Sequence, residues 1–330
     1  MKRILMQIPA VFLFFSISAA QDITNDSLLA ASRVTSGTDL AQTYYELSVQ
    51  LLDSLPDSAL YFANQAELIL LKSDPDNLLP PLFKHKGKIY DVKMVAERSL
   101  VYYRKAYDEY IKLEDHQEIG SCALNLGNIY YELADFSEAY YFYMHSLNAY
   151  ERDGDRMGIA RMENSLGTVA HEMGKLQEAE KHYAKAFEIY QKLGTVSDQC
   201  RSLNNIGLIL YDRQVFDSAL VYFNEAIDLL NLEPLASTED QHILSGLYNN
   251  IALAYSDLGE YEMSLYNLQK GLTLAREIND LYNIGSVYTN LGSIFGKLKQ
   301  QDSALFYLHR ALRIGKEMGF RHLELVTYDE

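Results

Sequence analysis

Leu126-Gly127-Asn128-Ile129-Tyr130 and, nine residues later, Ala139-Tyr140-Tyr141-Phe142-Tyr143-Met144-His145-Ser146 form the most informative stretch of this 330-residue chain. Ala139, Phe142, Tyr143, Ser146 and Tyr150 fall at i, i+3, i+4, i+7 and i+11, one face of an α-helix. Outward from there the Leu-Gly pair recurs as Leu166-Gly167, Ile206-Gly207 and Leu291-Gly292, with Lys86-Gly87 before it and Ile251-Ala252 between. The second members stand at 87, 127, 167, 207, 252 and 292, in steps of 40, 40, 40, 45 and 40. One step back puts Leu47 at the glycine slot of a first repeat. Asp-Ser-Ala-Leu at 57–60, 217–220 and 302–305 fixes the same register independently.

Small side chains mark two further slots. Twelve residues after the glycine slot stand Ala59, Ser99, Ala139, Ala179, Ala219, Ser264 and Ala304. Nineteen after it stand Ala66, Ala106, Ser146, Ala186, Ala226, Gly271 and Ala311. Sixteen after it come Tyr103, Tyr143, Tyr183 and Phe223, with Ala63, Leu268 and Leu308 in the remaining repeats. A glycine inside a helix costs about 1 kcal/mol relative to alanine, so five at one register imply a shared gain, expected to be close helix–helix approach. Asp57, Asp217 and Asp302 are expected to cap helix starts, and Pro80-Pro81 to open a helix, where a missing N–H does little harm.

The pattern L-G-x2-Y followed by A-x3-[Y/F]-x2-A closely resembles the tetratricopeptide repeat. The resemblance covers residues 38–330. Its period of 40 rather than 34 is similar to the extended repeats of kinesin light chain-like proteins. It implies an all-α fold, a right-handed superhelical solenoid of antiparallel helix pairs, with seven repeats over 38–319 and a five-residue insertion near 231–235. Phe320 to Glu330 reads as the first helix of an incomplete eighth repeat, which suggests a polypeptide that continues.

Composition narrows the function classes. A formal charge of −16 argues against nucleic-acid and anionic-membrane binding, which need a basic surface. Two cysteines exclude a disulfide-stapled mini-fold and a four-thiolate zinc site. Lys2 and Arg3 before an apolar run from Ile4 through Ile17, then Ser18-Ala19-Ala20, have the form of a secretory signal peptide cleaved after Ala20. Residues 21–37 are then a lead-in, and the mature chain is expected to be exported, periplasmic or extracytoplasmic, reaching a membrane only through a missing C-terminal segment.

The resemblance also implies that first helices line a concave surface that holds partner segments. Two positions before the glycine slot lie His85, Asn125, Ser165, Asn205, Asn250 and Asn290, and three before it Asn164, Asn204 and Asn249. An amide offers donors and an acceptor to the main chain of an extended peptide; related extended repeats use such an asparagine ladder in that way. The alternative is that these amides tie adjacent repeats together. Arg161, Arg201, Lys84 and Lys88 could hold partner carboxylates, but pairing within the chain to Glu132, Glu172, Asp212 and Asp257 is the favoured reading. Tyr131 and Tyr211 are candidate groove aromatics.

Catalytic signatures are missing. His171-Glu172-Met173-Gly174-Lys175 lacks the second histidine of a zinc-binding helix, and Gly292-Ser293-Ile294-Phe295-Gly296 lacks the spacing of a nucleophile elbow. No enzyme activity, metal or cofactor is expected. The sequence points to a protein or peptide partner and to a scaffold acting as the sensory region of a longer or related membrane signalling protein, of the kind found outside the cytoplasm of bacteria. The alternative is a structural scaffold of an envelope complex with no signalling role.

Overall fold

The computed structural model describes residues 35–72, 77–232 and 237–319, together with Leu28, Ser32 and Asp74. The signal peptide, most of the lead-in, the core of the insertion and the segment Phe320–Glu330 lie outside the described residues. No helix among the described residues is long and apolar enough to cross a membrane.

Fourteen helices form seven pairs among the described residues, so the all-α class holds. They are α1 (Thr38–Leu51), α2 (Pro56–Leu70), α3 (Leu79–Val92), α4 (Ala96–Leu113), α5 (His116–Glu132), α6 (Phe136–Asp153) and α7 (Arg156–Glu172). Then follow α8 (Leu176–Leu193), α9 (Val196–Asp212), α10 (Phe216–Asn231), α11 (Thr238–Asp257), α12 (Tyr261–Glu277), α13 (Leu281–Lys297) and α14 (Gln301–Met318). The chain divides into two compact units, one ending at Glu118 and the other beginning at Ile119. In the first, α1 packs on α2, α2 on α3 and α3 on α4. In the second, each helix from α6 to α14 packs on its successor, and the first helices α7, α9, α11 and α13 also pack on one another in turn. That is the stacking of a repeat solenoid, in which each pair buries its apolar face on its neighbours.

The glycine slot is filled by a ring from the paired helix. A Cβ on Gly127 would stand 2.5 Å from the Tyr143 ring, on Gly167 2.7 Å from Tyr183, and on Gly87 2.8 Å from Tyr103. On Gly207 it would collide with Phe223 in the same way. Where the slot is larger its partner shrinks, as Leu47 and Ala63 are both fully buried. The small residues twelve on face the glycine slot, and those nineteen on face the residue seven before it, as Ser146 does Gly120 and Gly271 does Ser245. All fourteen are buried, Ala304 the least at 7% exposure. Ser99 and Ser264 donate their hydroxyls to the carbonyls of Gly87 and Ala252, 2.9 and 2.6 Å away.

Helix ends depart from the sequence expectation. Asp57, Asp217 and Asp302 lie inside the first turns of α2, α10 and α14; the N-cap positions are Leu55, Val215 and Gln300, without a side-chain cap bond. Asp57 instead pairs with Lys93. Side-chain caps occur mainly on first helices, from Asp155, Thr195, Ser237 and Asp280. Pro80 does stand in the first turn of α3.

In six of the seven pairs the turn is closed seven residues after the slot by a left-handed residue: Met94, Ala134, Gly174, Gln214, Gly259 and Lys299, with φ between 56 and 80°. In each, the next N–H reaches back five residues, as Asp135 does to Tyr130 at 2.9 Å. This double-bonded ending satisfies helix carbonyls otherwise left open. Four of the six carry a side chain where glycine is the easier choice.

Candidate functional site

The first helices of the second unit carry a row of amides at one height. Asn205 Nδ2 donates to Asn164 Oδ1 at 3.2 Å, Asn250 to Asn204 at 2.8 Å and Asn290 to Asn249 at 2.8 Å. The residue two before the slot therefore bonds the residue three before the slot in the preceding repeat. Each such bond uses one of an asparagine's two N–H groups and one lone pair of its oxygen. Asn249 is 9% exposed and the others are partly buried. Asn125 makes no side-chain hydrogen bond among the described residues and is partly exposed. In the first unit the corresponding His85 sits 2.9 Å from Ser48 Oγ, whose hydrogen goes to the Ala59 carbonyl at 2.7 Å. Burial pushes the His85 imidazole down to about 4, so it is neutral at physiological pH. Ser48 is fully buried with its proton committed, so this Ser–His contact is a tie between repeats and not an activated nucleophile.

A second row runs one turn further along the same helices. Tyr131 donates to Glu172 at 3.5 Å and Tyr211 to Asp257 at 2.5 Å, while His171 contacts Asp212. Lys297 reaches Ser256 at 3.0 Å and Asp257 at 3.1 Å. Each contact joins adjacent repeats. Burial and the facing carboxylate raise the phenols of Tyr131 and Tyr211, which stay protonated donors. Tyr211, Ser256, Asp257, Asn290, Ser293 and Lys297 border a small polar recess where the two rows meet.

The cations pair within the chain, but not with the acids named from sequence. Lys84 binds Glu118 at 2.5 Å, Arg161 lies 3.6 Å from Asp155, and Arg201 pairs with Glu239. Of the acids five after the slot, Glu172 is instead taken by Tyr131, Asp212 by His171, and Asp257 by Tyr211 and Lys297. Those partners come from the neighbouring repeat at nearly the same height, which places them closer than Arg161 or Arg201, roughly three turns back along the helix. Lys88 is exposed and forms no ion pair among the described residues.

Sequence reading missed a third arrangement, between the two helices of one repeat. Four before the slot in α7 is Glu163, 4% exposed, bonded to His182 at 2.6 Å and Lys185 at 3.2 Å on α8. Burial alone would raise its carboxyl; the hydrogen bonds from His182 and Lys185 outweigh that and hold it below the usual carboxylate range. The residue eighteen after the slot supplies the cation, and Lys105, Lys185, Lys270 and Arg310 at that spacing were the readable signal. In the first unit Lys86 replaces the leucine beside the slot. It is 1% exposed and held by Asn64 at 2.6 Å, by Glu67 and by the Tyr102 ring 4.3 Å away. No group of His, Cys, Asp and Glu among the described residues is arranged to hold a metal ion.

The sequence model of the tetratricopeptide repeat matches residues 158–231 and 244–317, α7–α10 and most of α11–α14. Among solved structures, the apo form of RapI superposes with a TM-score of 0.69 at 14% identity, over 84% of this chain and 98% of that one. The apo form of the quorum sensor NprR from B. thuringiensis gives 0.69 at 16% identity, over 89% and 82% of the two chains. A tetratricopeptide repeat protein from Parabacteroides merdae gives 0.64 at 17%, over 87% and 98%. At these identities the likeness is one of fold. No curated protein matches the sequence.

Proposed function

We propose that this chain, a tetratricopeptide-repeat protein, is an exported scaffold that holds an extended segment of a protein or peptide partner along the first helices of its second unit. The observation that carries the reading is the amide row. Asn164, Asn204, Asn205, Asn249, Asn250 and Asn290 use part of their hydrogen-bonding capacity on one another, and Asn125 uses none on the described residues. What is left is a line of donors and acceptors at the pitch of the repeats, suited to main-chain amides and indifferent to most side chains. The neighbouring quorum sensor NprR is consistent with a sensing role for such an array. The signal-peptide form of residues 1–20 supports export, and with it a role as the sensory region of a membrane signalling system.

The test is a doubly substituted Asn205→Ala, Asn250→Ala chain, compared with the unsubstituted one by crosslinking in the native envelope. The captured partner should disappear while the helical circular dichroism is retained. A partner captured equally well by both chains would remove the amide row from the binding surface.

A further inference from the structure

The spacing that pairs Glu163 with Lys185 recurs in the last two repeats with its carboxylate missing. Four before the slot stand Tyr248 and Tyr288, and eighteen after it Lys270 and Arg310. Lys270 Nζ lies 5.0 Å from the centre of the Tyr248 ring and 4.6 Å from that of Tyr266. Arg310 lies 5.8 Å from the Tyr288 ring and 4.3 Å from Phe306. From the end of α12, Arg276 Nη2 donates to the Tyr288 hydroxyl at 2.9 Å, and Arg310 Nη1 donates to the same oxygen at 3.4 Å.

Two guanidinium groups thus meet at one phenol oxygen. A neutral phenol accepts their hydrogen bonds but cancels neither charge. Arg161, Arg201, Arg213 and Arg313 each have a carboxylate partner. Arg276, Arg310 and Lys270 form no ion pair among the described residues. Beside Lys270 and Arg310, Tyr266 and Phe306 are 55% and 50% exposed. Rings in water next to uncompensated cations offer an apolar seat and a charge fork together. The chain's net charge of −16 does not prevent an acidic ligand from reaching them. At physiological ionic strength charges beyond about 8 Å are largely screened.

We propose that Lys270, Arg276 and Arg310, with the exposed rings of Tyr266 and Phe306, dock a carboxylate-rich, aromatic-bearing segment of a partner protein. The guanidinium fork takes a carboxylate in place of the phenol oxygen, and the rings take the neighbouring aromatic side chain. This site lies on α12–α14 and is separate from the amide row, so either can exist without the other.

The probes are a short peptide of alternating glutamate and tyrosine, its glutamine counterpart and inorganic phosphate, each titrated calorimetrically into the full chain. The glutamate peptide should bind, and weaken by about tenfold or more in Arg276→Gln, Arg310→Gln. Arg276→Lys, Arg310→Lys should recover part of the loss, because charge returns without the fork. Asn205→Ala, Asn250→Ala should leave the preference for the glutamate over the glutamine peptide intact, because the amide row meets main chain and not side-chain charge. Should the glutamine double variant not fold, Tyr288→Phe keeps the ring, frees both arginines and should bind at least as tightly. The proposal is overturned if the glutamine peptide binds equally, if phosphate alone binds, or if the amide-row variant is the one that loses the preference for glutamate.

Discussion

Repeats four and seven share a backbone and put the same two positions to opposite uses. In repeat four, Glu163 is buried between His182 and Lys185, and the cation of the second helix is neutralised inside the repeat. In repeat seven, Tyr288 stands where Glu163 does and Arg310 where Lys185 does, and Arg276 adds a second positive charge. One substitution type, a phenol in place of a carboxylate, turns an internal tie into an open charge. The glycine slot beneath is the same in both, with Gly167 under Tyr183 and Gly292 under Leu308. What a repeat must do to stack is therefore separable from what it offers to a partner.

The largest expected effect comes from attacking the shared slot. Gly167→Leu should lower stability by about 3 kcal/mol, the upper end for overpacking, because its Cβ would enter the ring of the buried Tyr183. Gly292→Leu should lower it less, since Leu308 is a flexible, partly exposed side chain that can turn aside. Urea denaturation of the two variants checks the order, and equal losses would mean that the ring does not set the cost. Next in size is Glu163→Gln, expected to remove about 1–3 kcal/mol at neutral pH through the buried contact with His182. The exposed Lys185 adds little after solvent screening. Because the folded carboxyl is depressed, its contribution is present above the ordinary value of 4.5 and fades as pH falls through the lower folded value. The wild-type chain should show that acid-side slope and Glu163→Gln should lose it, whereas Tyr288→Phe should leave it unchanged. The smallest effect lies in the turns. Repeat four closes on Gly174 and repeat seven on Lys299, both left-handed. Lys299→Gly should stabilise by about 1 kcal/mol and Gly174→Ala should destabilise by a similar amount, read from melting temperatures.

Much of the packing was legible because it repeats in identity. Glycine under a ring recurs in four repeats, and the small residues twelve and nineteen positions on keep the same chemistry in all seven. The left-handed turns were not legible, since Met94, Ala134, Gln214 and Lys299 occupy a position whose usual signal is glycine. Asp57, Asp217 and Asp302 misled because an acid in a helix's first turn and an acid at its cap differ by only one or two residues. The pairing four before and eighteen after the slot stayed hidden because its first member changes from Phe83 to Glu163 to Tyr288.

The sequence by itself determined the period, the helix pairs and the contacts within them, because steric fit at a fixed spacing leaves the same residue types at each recurrence. Only the tertiary structure decided which polar groups meet. Hydrogen bonds and ion pairs choose among several chemically equivalent partners by distances of an ångström or two. Those distances belong to the stacking of one repeat on the next. Thus Asn250 meets Asn204, Arg201 meets Glu239, and Arg276 and Arg310 are left facing outward with a phenol between them.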